Sequence, residues 1–326
     1  MINICRWFFL GLYNIFTLIP HYLYVGIMCL IDPKKGEILK YKGKPIIPVT
    51  MIGLTLSIYL ICIFVSTRWY VQRLKINYLT ADIIESTKII ESQELIVKED
   101  KDNKEEENNI AENNTEEKKE EEKYVPKTTT NYSNVSYIST DFNDLLSKNK
   151  DTVAWLKVNN TNVNYSVVQG DDNEYYLKHD FNKRANKAGW IYGDYRDDFE
   201  RFGTNTIIYG HNMLNRTMFG SLVWVLKPSW YKNSDNWYIK LSAPNSNTVW
   251  KVFSIYQIKP EIYYLKTYFD TEQEHQEFLN TLSSRSIYNF GETLTTDDKI
   301  LTLSTCTDDG TRRVVIHAKM IKAEYR

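Results

Sequence analysis

A thiol, an imidazole and a guanidinium can together perform acyl transfer, and this 326-residue chain offers one set of them at what read as strand ends. Cys306 closes the apolar run KILTLST and opens into the polar turn TDDGT, where side chains become accessible. The other cysteines, Cys5, Cys29 and Cys62, lie in or beside long apolar segments, so no disulfide framework surrounds Cys306. A small buried core residue is the bland alternative for any cysteine. A nucleophilic thiol acts as thiolate and needs a cationic neighbour. His211 ends the run NTIIYG after a glycine that would permit a tight turn, and so holds the same kind of position. His179 reads as a surface residue in YYLKHDFN, His275 as solvated on an acidic helix, and His317 as a plain strand residue in VVIHAKM. Arg312 and Arg313 open the strand after the Cys306 turn, and a hairpin there would return a guanidinium to the thiol, where it suits an oxyanion. Alternation groups Arg312 with Val314, Ile316 and Ala318, and Arg313 with Val315 and His317, without saying which face looks into a site.

The elements that would carry these residues are short and β-rich. Eight β-branched and aromatic runs follow one another: TVAWLKV, NVNYSVVQG, AGWIYGDY, NTIIYGH, NWYIKLS, VWKVFSIYQI, KILTLSTC and RRVVIHAKMI. Their number and spacing predict a mainly β fold, a sandwich or closed barrel, over 134–326. Helices are predicted over 141–150 and, opening on Asp270, over 270–286 in the connection before the Cys306 strand.

What precedes that domain is different. Residues 7–31 and 46–66 carry no Asp, Glu, Lys or Arg, and each is long enough to cross a bilayer, so 1–68 reads as a membrane anchor with two probable spans. An interfacial first segment is the alternative, given Pro20 and His21. The loop between them holds Lys34, Lys35, Lys40, Lys42 and Lys44, which predicts a cytoplasmic loop and a cell-membrane protein whose folded domain is extracellular. Residues 69–133 read as a stalk. Within it, 98–123 hold 12 acidic and 6 basic residues and two apolar ones, too little apolar surface to offset ordering, so a disordered acidic linker is expected. The whole chain balances 40 Lys and Arg against 41 Asp and Glu, which gives no field to attract nucleic acid.

TLSTC (302–306), RVVIHAKM (313–320) and IIYGHNM (207–213) together resemble the sortase family, membrane-anchored cysteine transpeptidases of Gram-positive bacteria. The stretch 152–181, GDYRDD (193–198) and TMFG (217–220) are similar to class B sortases. The resemblance implies the eight-stranded sortase barrel with N-terminal and inter-strand helices. It implies Cys306 as nucleophile, His211 as catalytic histidine and Arg313 as catalytic arginine, with Asn173, Leu177, Ser304, Tyr264 and Leu265 in the substrate groove. The acidic residue sometimes found after the cysteine is Thr307 here. No cofactor and no metal is implied. The implied reaction cleaves a C-terminal NPxTG-like sorting signal of secreted proteins through a thioacyl intermediate, and joins them to the amine of a lipid-linked peptidoglycan precursor. Pilin polymerisation, or a non-catalytic membrane-tethered peptide-binding or sensor module, are the alternative readings.

Overall fold

The computed structural model describes residues 49–91, 126, 132, 134–306 and 311–326. The predicted first span (7–31), the acidic run 98–123 and Thr307 lie outside the described residues. The chain divides into two compact units, Met1–Lys75 and Ile76–Arg326. Helix α1, Val49–Ser86, contributes residues to both.

In the first unit α1 exposes Leu56, Ile58, Tyr59, Leu60, Ile61, Ile63, Phe64 and Val65, and no charged residue interrupts this run before Arg68. Among the described residues no helix is long and apolar enough to cross a membrane.

The second unit is built on a closed eight-stranded barrel. Its strands are β3 (Thr152–Val158), β4 (Asn164–Val168), β5 (Tyr192–Gly193), β6 (Asn205–His211), β7 (Tyr238–Ala243), β8 (Ser246–Ile258), β9 (Ile300–Cys306) and β10 (Arg313–Tyr325), in the order β10-β8-β7-β3-β4-β5-β6-β9. All eight runs anticipated from the sequence contribute a strand, and closure leaves no barrel edge unpaired. Two neighbouring pairs are parallel, β4 with β5 and β6 with β9. Short helices α2 (Asn143–Lys148), α3 (Tyr175–Lys178) and α4 (Pro228–Tyr231) lie between strands, and α5 (Glu272–Ser284) sits in the excursion from β8 to β9. The α5 N-cap is Thr271, one residue later than anticipated: its Oγ1 accepts from the Glu274 amide while the Glu274 carboxylate accepts from the Asp270 amide.

Alternation in β9 and β10 separates two cores. Leu301, Leu303, Val314, Ile316 and Ala318 join the main barrel cluster, which also holds the fully buried Trp155 and Trp250. Ile300 and Val315 join a second cluster with Phe278, Leu279 and Leu282 of α5. The Arg313 face of β10 is therefore the one covered by the β8–β9 excursion, and Val314, Ile316 and Ala318 face the barrel interior.

The folded unit begins well before residue 134. Ile76 and Ile83 of α1 are buried in the main core. Strand β1 (Ile89–Glu91) pairs antiparallel with β2 (Ile138–Thr140). Glu91 bonds the buried Lys240 Nζ and, at 2.9 Å, Lys157 Nζ. The Lys240 bond, against the opposing pull of burial, and then Lys157 hold the Glu91 carboxyl down to about 2. Part of the anticipated stalk is thus a packed component of the domain, which a helical apolar spacing with few contacts of its own does not reveal. Burying an isoleucine contributes about 1.5–3 kcal/mol, and a buried lysine without its carboxylate costs more. A chain starting at residue 134 is expected to melt at least about 5 °C below one starting at residue 76 in a calorimetric scan; equal melting would show that the α1 and β1 contacts contribute nothing.

Candidate active site

Three adjacent strands carry the three chemical residues to one rim. In the parallel β6/β9 pair, His211 lies level with Cys306, the last residue of β9. Neighbouring strands run about 4.8 Å apart, so these two backbone positions are direct neighbours. On the other side of β9, Val315 pairs with Ser304 in an antiparallel ladder. The printed pairing ends at that pair, and Arg313 opens β10 two residues beyond it, opposite Ile258 of β8. The ladder opens there because the Val314 amide donates to Thr305 Oγ1 (2.8 Å) instead of to a strand carbonyl.

The imidazole is fixed by a backbone acceptor. His211 Nε2 lies 2.9 Å from the Leu177 carbonyl, and because a carbonyl only accepts, Nε2 carries a proton. That leaves Nδ1 as the nitrogen that exchanges one. Leu177 belongs to α3, and the turn leading into it is held by Asp172 Oδ1, which accepts from the Glu174 (2.8 Å) and Tyr175 (2.7 Å) amides. The resemblance implies a substrate contact for the Leu177 side chain, which is half-buried, and its carbonyl in addition orients the histidine.

Two glycines shape this corner. Gly189 has φ +56°, and a Cβ there would lie 2.7 Å from the Leu177 carbonyl oxygen and 2.5 Å from that of Tyr176. Gly189→Ala is therefore expected to displace the acceptor of His211, lowering kcat about tenfold or more with a smaller change in KM; an unchanged kcat in a variant of normal helicity refutes that link. Gly210 differs from expectation. It is a strand residue without positive φ, and it is a glycine because a Cβ would meet Ile191 Cδ1 at 2.5 Å and Phe219 Cγ at 2.8 Å. Close packing, not a turn, explains YGH.

Arg313 is half-buried against the excursion before α5. Its Nη1 donates to Tyr264 Oη (3.2 Å) and to the Glu261 carbonyl (3.4 Å). Tyr264 is fully buried in a 3₁₀ turn, Tyr263–Leu265, and its hydroxyl also shares a hydrogen bond with Ser304 Oγ (3.0 Å). Arg312 is exposed, with Nη1 3.5 Å from Gln257 Oε1.

A second polar group joins the α3 side to that turn. The buried Asp194 carboxylate accepts from Asn173 Nδ2 (3.0 Å), Tyr209 Oη (2.9 Å) and Arg196 Nε and Nη2 (both 2.7 Å). Arg196 Nη2 also donates to the Leu265 carbonyl (3.1 Å). Burial works to raise the Asp194 carboxyl, and its bonds from Arg196 outweigh that and leave it below the ordinary range. Neighbouring Asp197 goes the other way: burial, with the charge of Asp194 adding, pushes it up to about 7. Asn173 has both ends of its amide engaged, since Oδ1 accepts from the Tyr195 amide (3.1 Å). Sequence reasoning noted GDYRDD without giving Asp194 or Arg196 a role.

The other described histidines, His179, His275 and His317, have partners of their own. His179 is half-buried and stacks on Tyr175 with ring centroids 4.1 Å apart. His275, expected to be solvated, is buried against Phe269 (4.5 Å between centroids), because the segment ahead of α5 folds back over it. His317 is fully buried.

A sortase domain family model matches residues 156–321, a span containing His211, Cys306 and Arg313. The chain belongs to the sortase family. Sortases are cysteine transpeptidases, and this sortase is an enzyme of that kind, with class B members among its relatives. It is 36% identical over 194 residues to sortase B of Staphylococcus aureus, covering 57% of this chain and 77% of that protein. It is 32% identical over 184 residues to sortase B of Listeria monocytogenes, covering 56% and 74% respectively. Its fold matches a Staphylococcus aureus sortase B–substrate complex with a TM-score of 0.53 at 36% identity, over 56% of this chain and 84% of that one. Sortase B of Clostridium perfringens matches with a TM-score of 0.52 at 33% identity, over 56% and 100%.

Proposed function

We propose that this sortase is a membrane-anchored transpeptidase that cleaves an NPxTG-like C-terminal sorting signal of secreted proteins and joins them to a peptidoglycan amine outside the cell membrane. The observation that carries the reading is the pairing of His211 with Cys306 at the barrel rim, with Arg313 opening the strand on the other side of β9. The apolar, charge-free run along α1 and the lysine-rich segment before it support anchoring with the catalytic unit outside. Relatives support the two substrates: Staphylococcus aureus sortase B has been solved with a substrate, and a sortase B has been solved with triglycine, a short peptide.

The signal docks between α3 and the 263–265 turn. Asn173, Leu177 and Leu265, all half-buried, form the walls, and the Ser304–Tyr264 hydroxyl pair forms the floor. The Cys306 thiolate attacks the threonine carbonyl, and Arg313 holds the oxyanion. The tetrahedral species collapses as the C–N bond breaks, and His211 as imidazolium gives its Nδ1 proton to the leaving amine. An incoming amine then attacks the thioester, His211 takes its proton, and the C–S bond breaks to release the Cys306 thiolate, restoring the starting pair. The test is cleavage of a quenched NPxTG peptide by the chain from residue 76 onward, with and without a glycine-peptide amine. Identical behaviour of wild type and Cys306→Ala with every signal offered would sink the reading, and crosslinked ladders with pilin subunits would redirect it to polymerisation.

A further inference from the structure

The Tyr263–Leu265 turn, which receives Arg313, is bonded back onto the barrel by a chain of hydrogen bonds, buried beyond the half-buried Tyr263, that all point one way. Tyr263 Oη donates to Tyr256 Oη (2.8 Å), and Tyr256 Oη lies 2.8 Å from His317 Nε2. His317 Nδ1 lies 2.9 Å from Thr302 Oγ1, which donates to Asn205 Oδ1 (2.6 Å). Asn205 Nδ2 donates to the carbonyls of Tyr264 (3.0 Å) and Lys266 (2.9 Å). The direction is dictated by the ends. Asn205 can bond two carbonyls only through its amide nitrogen, so its oxygen must accept from Thr302. The Thr302 proton is then committed, Thr302 accepts from His317 Nδ1–H, and Nε2 accepts from Tyr256. The circuit leaves the turn through one tyrosine side chain and returns to it at two backbone carbonyls.

We infer that Asn205, Thr302 and His317 are positioning residues for Arg313, holding the turn so that the Tyr264 hydroxyl and the Glu261 carbonyl aim the guanidinium at the reacting carbonyl. None of the three touches Arg313 in the contacts described above; they act through the turn. Their burial favours this role, since Asn205, Thr302 and His317 are each fully shielded from water, and a chain of satisfied polar groups in such surroundings is stiff. Burial also pushes the His317 imidazole down to about 3, which keeps it in the neutral form that the direction requires. A barrel held only by packing needs no polar circuit at this place. The inference rests on Arg313 being the oxyanion-binding group of the proposed reaction.

The experiment compares full-length protein in detergent carrying Thr302→Val, Thr302→Ser, Arg313→Lys and the Thr302→Val/Arg313→Lys pair, with kcat and KM measured on an NPxTG peptide. Thr302→Val keeps the shape and breaks the circuit, and it is expected to lower kcat at least about tenfold with KM within about threefold. Thr302→Ser restores the hydroxyl and is expected to return most of the rate. In the Arg313→Lys background, where the planar fork is gone, Thr302→Val should cost less than about twofold more. Equal losses in both backgrounds would mean a general structural effect and would overturn the inference, as would a wild-type kcat for Thr302→Val. Should Thr302→Val fail to fold, Asn205→Asp takes its place, because it sets a carboxylate against two carbonyls at nearly constant volume; the same pattern of losses is expected, and an additive loss overturns the inference. A wild-type rate for Arg313→Lys together with Arg313→Ala would instead remove the proposed role of Arg313, and this inference with it.

Discussion

Replacing Cys306 with alanine is expected to abolish peptide cleavage, by at least about 10³-fold, while leaving the far-ultraviolet circular dichroism of the protein unchanged. The loss is large because the thiol supplies the covalent route itself, and neither His211 nor Arg313 can form the acyl intermediate in its place. The fold should survive because Cys306 is the terminal residue of β9, and strand pairing with His211 is a backbone matter. His211→Ala should lose about 10²–10⁴ of the rate, the range expected for one proton-transfer group. It also strands the Leu177 carbonyl, a loss of about 1–3 kcal/mol of stability. Activity and stability are therefore expected to part company in this variant, with a melt lowered by several degrees and turnover nearly gone. Cleavage at more than a tenth of the wild-type rate in Cys306→Ala would mean that hydrolysis follows another route.

The two arginines should separate just as sharply. Arg313→Ala is expected to lower kcat about 10²–10³-fold, the loss seen when one oxyanion donor is removed, whereas Arg312→Ala should stay within about twofold. The difference comes from placement. Arg313 opens the strand beside β9 and is half-buried, with a hydroxyl and a carbonyl fixing one nitrogen, so its remaining donors are preorganised. Arg312 lies on the alternate face, exposed, with a long contact to Gln257. Arg313→Lys should fall between, since an ammonium keeps the charge and loses the planar fork. If Arg312→Ala proves the more damaging change, the placement of the two arginines is not the one described.

Much of this arrangement is legible in the sequence because it rests on alternation and on turn chemistry. Eight β-branched runs specify eight strands, and Cys306 and His211 announce themselves by lying at run ends, whereas choosing Arg313 over Arg312 needs the family resemblance. Alternation also groups Arg313 with Val315 and His317, yet it cannot say that this face is the covered one, since that depends on where the chain from β8 to β9 returns. The same ignorance explains His275. Acidic neighbours suggest solvent, and only the fold-back of Phe269 buries it. Residues that work through their backbone leave no signature: nothing about Leu177 as a residue type says that its carbonyl orients a histidine. Gly189 is the nearest thing to a signal for it, a glycine demanded by that carbonyl's proximity. Ile76 and Ile83 read as part of a spacer because their partners are more than fifty residues away, across the acidic run.

The pairing of β6 with β9 is parallel, so its two strands cannot meet through a hairpin. Cys306 and His211 stand 95 residues apart, with β7 and β8 lying between them in the chain. Contacts this distant form late, after nearer ones have offset the entropy of closing the loop. The Cys306 thiol is therefore expected to gain its imidazole neighbour only as the barrel closes. How quickly that sulfhydryl takes up an alkylating reagent is in effect a clock for the last stage of maturation.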